Sequence, residues 1–279
     1  MRRSSNLYAL LLALVLAVPP LTFGEEKPLW KIDLSPFGYN PPVNEVVLRF
    51  SGRLLVIYLG QQHSRFVFDK ETHQQVPEDR LAGVALPPPI DFAAGFGRKP
   101  FPAVNIIKRW KQMSIEEIGG IGLGQVPDAE FYLQEPGRPK VLLSRGGPRC
   151  TPGDPEFVGD HYILLFPCSG KNVVVDKQGR KVYELPNLSN PYVAPNLEGT
   201  RFATYERDAS FFHSFEGTTN KLRVKVFHSS DGKKLFEYRW NVSDDEGISD
   251  GRVALSDDGS QVALVRGHEV LIFPVPPQE

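Results

Sequence analysis

The sequence predicts an all-β fold in which about five four-stranded sheets close into a ring. Three observations carry this. Residues 251–276 read as a meander of three short strands. Arg252-Val253-Ala254-Leu255-Ser256, Gln261-Val262-Ala263-Leu264-Val265 and Glu269-Val270-Leu271-Ile272-Phe273 are separated by Asp257-Asp258-Gly259-Ser260 and Gly267-His268 turns. At the other end, Leu29-Trp30-Lys31-Ile32-Asp33-Leu34 is a lone strand without a local partner. Pairing the two ends covers an open sheet edge and gives the lone strand its ladder. The third observation is rhythm: lining up the first turn of each unit places glycines at 52, 159, 199 and 259. The interval from 159 to 199 is 40 residues, the length of a four-stranded unit.

Between these ends the strands follow in order. Glu45-Val46-Val47-Leu48-Arg49-Phe50 turns at Ser51-Gly52 into the apolar run of residues 53–59, then Arg65-Phe66-Val67-Phe68-Asp69 and a weak fourth strand, Gln74-Gln75-Val76. Residues 129–134 and 140–144 form a hairpin around Glu135-Pro136-Gly137-Arg138-Pro139. Strands at 156–166, 171–176 and 181–185 make a further unit, and those at 192–205, 222–227 and 234–240 another. The interval from 52 to 159 is 107 residues, so at least one unit is hidden there. The sum is five units, or six to seven if residues 84–110 conceal more. Residues 106–118 read as a short helix inside an insertion spanning 84–126. Gly119 to Gly124 has the glycine spacing of a phosphate loop but lacks the strand and long helix that would place phosphate on a helix terminus.

Here the sequence resembles the WD40-like and YVTN-like β-propeller repeat proteins. The resemblance rests on residues 253–265, with their Ser-x-Asp-Gly turn, and on an echo at residues 192–205. It departs in lacking a Trp-Asp dipeptide, and its one Gly-His pair, Gly267-His268, sits at a different turn. The resemblance implies a β-propeller with the N-terminal strand closing the last blade.

Composition agrees with a folded, turn-rich chain. The 279 residues include 25 Gly, 25 Pro, 18 Phe and 9 Tyr. Residues 1–24 read as an export signal: Arg2 and Arg3, an apolar run over 7–18, a Pro19-Pro20 break and a small-residue cleavage site. That run is short of the ~20 residues a spanning helix needs. The expectation is a single domain over 25–279, periplasmic or extracellular, monomeric, with no membrane span after cleavage. Removing the leader leaves 30 basic against 33 acidic residues, which gives no electrostatic footprint for nucleic acid. Cys150 and Cys168, the two cysteines, suggest a disulfide in an exported protein, contributing about 3 kcal/mol on the entropic account. Asn187-Leu188-Ser189 and Asn241-Val242-Ser243 fit the glycosylation acceptor pattern.

No Gly-x-Ser-x-Gly, His-Glu-x-x-His or P-loop motif is present. The candidate binding element is the long connection over residues 206–220, which carries Arg207, Asp208, Phe211, Phe212, His213 and Phe215. Aromatics on a long loop are the material of a contact surface. Asp244, Asp245, Glu246 and Asp250 form an acidic cluster that Ca²⁺ would suit, without the spacing of an EF-hand loop. No other cofactor is indicated. The expected function is a non-catalytic binding or scaffold module that meets a protein partner through its long loops. The alternative is a propeller hydrolase or lactonase with a metal in its central channel, which requires carboxylate, Asn or His side chains converging from different sheets.

Overall fold

The computed structural model describes residues 27–41, 45–60, 64–87, 104–119, 129–146, 152–167, 171–185, 192–207, 221–241 and 251–277. Within them the chain forms five antiparallel sheets. The first sheet holds β2 (Val46–Ser51), β3 (Leu54–Leu59) and β4 (Ser64–Asp69). The second holds β5 (Val104–Trp110), β6 (Met113–Ile118), β7 (Glu130–Gln134) and β8 (Val141–Arg145). The third runs through β9 (Gly153–Phe157), β10 (Tyr162–Phe166), β11 (Asn172–Asp176) and β12 (Lys181–Leu185). In the fourth are β13 (Tyr192–Pro195), β14 (Arg201–Arg207), β15 (Lys221–His228) and β16 (Lys234–Asn241).

The fifth sheet joins the two ends of the chain. Its order is β1 (Trp30–Asp33), β19 (Glu269–Pro274), β18 (Gln261–Arg266) and β17 (Val253–Leu255). Trp30 lies opposite Ile272 and Ile32 opposite Val270, so the lone N-terminal strand finds its ladder on the C-terminal meander. Alternation explains the faces: Trp30 and Ile32 are buried while Lys31 and Asp33 are exposed.

Apolar layers stack between successive sheets. Trp30, Ile32, Val270 and Ile272 pack with Leu48, Phe50, Leu55 and Ile57 between the fifth and first sheets. Tyr205, Val224 and Phe236 meet Leu264 and Phe273 between the fourth and fifth. Phe157 and Ile163 close on Ile115 and Phe131 between the third and second, and Phe202 and Phe227 on Leu164 and Val174 between the fourth and third. The remaining face of the first sheet, with Val47, Val56 and Tyr58, is covered by Val76, Leu81 and Leu86 of the following segment.

Three expectations are corrected. Residues 106–118 are no helix; they are the β5–β6 hairpin, turning at Lys111 with φ 52°. A β-bulge between Ile106 and Lys108 throws the alternation out of phase, and the resulting apolar spacing imitates a helical period. Residues 84–126 are accordingly no single insertion, because 104–118 supply two strands of the second sheet. Gln74-Gln75-Val76 is not a full strand; it makes one bridge, Gln75 to Phe68.

Short first turns stitch neighbouring sheets at one end of the assembly. Asp160 accepts hydrogen bonds from Trp110 Nε1 at 2.8 Å and Lys111 Nζ at 2.6 Å. Ser229 Oγ donates to the Val158 carbonyl at 2.6 Å. Asn196 Nδ2 donates to the Asp257 carbonyl at 2.9 Å, and Arg201 Nη1 to that of Gly259 at 2.9 Å. The Gly52 amide donates to Asp257 Oδ2 at 2.6 Å. The four aligned glycines are thus four turns of one belt.

Two of them are held by close backbone approach. A Cβ on Gly159 would stand 2.2 Å from the Gly199 carbonyl oxygen. One on Gly199, which adopts φ 71°, would stand 2.7 Å from the Asp160 amide nitrogen. Gly159→Ala forces two sheets apart and is expected to cost about 2–3 kcal/mol, read as a lowered denaturant midpoint. A midpoint equal to that of the parent would contradict this contact.

Candidate functional site

The strand that opens each sheet, β2, β5, β9, β13 and β17, borders a single cavity of about 860 Å³. Five sheets presenting their first strands to one central space is a propeller-like arrangement. The cavity wall is chemically uneven. Arg49 comes from β2, Lys108 and Arg109 from β5, and Asp154 and Glu156 from β9. Tyr192, Val193, Ala194 and Leu197 come from β13 and its turn, and Val253 and Leu255 from β17. Ala85, Leu86 and Pro87 complete the wall between β2 and β5.

Several of these charges are already engaged. Lys108 Nζ reaches Glu156 Oε1 at 2.7 Å across the second and third sheets. Asp257 Oδ2 is held by the Gly52 amide. Arg109 is exposed and enters no ion pair among the described residues. Ile106 and Leu197 are the large apolar side chains of the wall left exposed, at 47% and 59%.

The belt below the cavity is organised by carboxylates held in their ionised form. For Asp258 partial burial works upward. The Ser256 hydroxyl, with the Ser260 amide and hydroxyl, outweighs it and brings the carboxyl down to about 2 from 3.8. Asp160 follows the same logic: desolvation raises its pKa, while Lys111 and Trp110 lower it by more. The Asp258 turn lies within residues 253–265, where the resemblance rests, and holds its own loop, whereas Asp160 ties the third sheet to the second.

A second polar constellation lies inside the fourth sheet. Glu206 on β14 faces Arg223 on β15, with Nε–Oε1 at 2.7 Å, and Lys225 Nζ at 3.0 Å. The Glu206 side chain is fully buried, and those of Arg223 and Lys225 are 11% and 9% exposed. The sequence predicts a loop over 206–220 that includes Glu206 and Arg207. The structure places both in β14, with Arg207 paired to Leu222. The missed signal was the cross-strand match of one acid with two bases at alternate positions.

The other residues singled out from sequence fall outside the described ones. These are Asp208, Phe211, Phe212, His213 and Phe215, the acidic cluster Asp244, Asp245, Glu246 and Asp250, Cys150 with Cys168, and the leader over 1–24. Arg207 and Lys221, which bracket residues 208–220, stand at the end of β14 and β15 opposite the tight turns. Among the described residues no group of three or more His, Cys, Asp or Glu could hold a metal ion. No described helix is long and apolar enough to cross a membrane.

No family model matches the sequence, and no curated protein matches it. Solved structures superpose loosely. A chain of the mitotic checkpoint complex aligns over 93% of this chain and 98% of its own, at 10% identity and TM-score 0.26. The Dos1 propeller aligns over 86% of this chain and 55% of its own, at 10% identity and TM-score 0.35. The β-propeller domain of Myceliophteria thermophila Cps50 (Swd1) aligns over 84% of this chain and 98% of its own, at 9% identity and TM-score 0.34. At these scores the likenesses carry no argument, and the fold rests on this chain's own sheets.

Proposed function

We propose that the protein is an exported, non-catalytic binding module built on a five-bladed propeller, meeting a protein partner through its long connections. The observation that carries the reading is the division of the connections between two ends. Tight turns hydrogen-bonded to one another occupy one end, and the bracketing residues Arg207 and Lys221 stand at the other. A rigid base with variable loops opposite is the arrangement by which a scaffold presents a contact surface. The aromatic content of residues 208–220, with Phe211, Phe212 and Phe215, supplies anchors of the kind that dominate binding energy. The export signal read over residues 1–24 supplies the address, periplasm or extracellular space.

Replacing residues 208–220 by a short Gly-Ser linker is expected to leave the melting temperature within about 2 °C, since loop length costs little. The same change is expected to remove a partner captured by the parent protein from an envelope or medium extract. An unchanged partner list would refute the assignment of the contact surface to this connection. Metal analysis of the purified protein tests the hydrolase alternative: a stoichiometric metal would favour it.

A further inference from the structure

Going beyond a protein contact at the loops, we propose that the central cavity takes a small amphipathic organic anion, an aliphatic or aromatic carboxylate. Its volume, about 860 Å³, is that of a small-molecule pocket, and its wall sets apolar side chains beside charged ones. Charge decides the sign of the ligand. Glu156 is paired with Lys108, Arg49 and Asp154 are engaged in interactions of their own, and Asp257 accepts from the Gly52 amide. Arg109, exposed on the wall and in no ion pair among the described residues, is the charge left to meet a ligand.

A guanidinium offers a planar pair of donors that fits a carboxylate through two parallel hydrogen bonds. Ile106, three residues before Arg109 on β5, and Leu197 of the fourth sheet provide exposed apolar surface for the rest of the molecule. These two side chains face solvent in the free protein, and a bound hydrocarbon chain covers them at a gain. Ile106 stands on β5, and Leu197 lies in the turn after β13, where Asn196 donates to the Asp257 carbonyl.

Calorimetric titration of the full chain with octanoate, 1-octanol and octylammonium tests the proposal. Octanoate is expected to bind at one site, with octanol and octylammonium at least about tenfold weaker, the scale of one charged hydrogen bond. Arg109→Gln is expected to weaken octanoate about tenfold while leaving octanol binding and the melting temperature unchanged. Ile106→Ser is expected to weaken octanoate and octanol alike. Equal affinity for octanoate and octanol, absence of saturable octanoate binding, or undiminished octanoate affinity in the Arg109→Gln protein would each overturn it. Octanoate affinity is also expected to survive replacement of residues 208–220, which separates this site from the proposed partner surface.

Discussion

A chain that begins at Ser35 is expected not to fold. It lacks Trp30, Ile32 and Leu34, all of which belong to the apolar layer between the fifth and first sheets. It also leaves the β19 backbone without its partner along Trp30–Asp33. Burying each such side chain contributes roughly 1.5–3 kcal/mol, and a domain's whole stability is about 5–15 kcal/mol. The loss of three side chains and one ladder therefore consumes most of it. Single substitutions grade the effect: Trp30→Ala is expected to cost about 3–5 kcal/mol. Trp30→Phe is expected to cost much less, because Trp30 Nε1 is buried with no hydrogen-bond partner among the described residues. Urea unfolding followed by far-ultraviolet circular dichroism checks the series. A cooperative transition in the truncated chain with the parent midpoint would show that β1 is dispensable.

Glu206→Ala is expected to be the most damaging single change in the fourth sheet, at about 3–5 kcal/mol. It removes the carboxylate shared by Arg223 and Lys225 in a layer where their side chains are 11% and 9% exposed. The cost lies in positive charge kept in a buried layer with less to balance it, and this can be tested. Replacing Glu206, Arg223 and Lys225 together by Leu, Met and Met is expected to recover most of the loss, since well-packed apolar residues often replace a buried ionic group at little cost. If the triple variant is as unstable as Glu206→Ala, the cluster has a role beyond neutralising itself.

Much of the fold was legible because alternation and turn chemistry agree in this chain. The C-terminal meander, the closing strand and the turns at Gly52, Gly159, Gly199 and Gly259 are readable as local signals. Sheet edges then dictate which end meets which. The β5–β6 hairpin was not legible, because one bulge at Ile106–Lys108 breaks the alternation in the middle of a seven-residue strand and a two-residue turn at Lys111 carries no Gly or Asn. Glu206 was misplaced for a different reason. Polar residues alternating with apolar ones ordinarily mark a solvated face, whereas here Thr204, Glu206, Arg223 and Lys225 are all buried. The cavity lay beyond sequence reasoning. Its wall takes a few residues from each of five strands, and no stretch of chain carries its signature.

The pairing of Trp30 with Ile272 also fixes an order of events. β1 precedes β19 by more than 230 residues, so a growing polypeptide holds Trp30 and Ile32 without their ladder until residues 269–274 are made. Contacts between such distant parts of a chain form slowly. In that interval the waiting strand is what a chaperone would hold, and any product cut short before Glu269 would be a target for degradation.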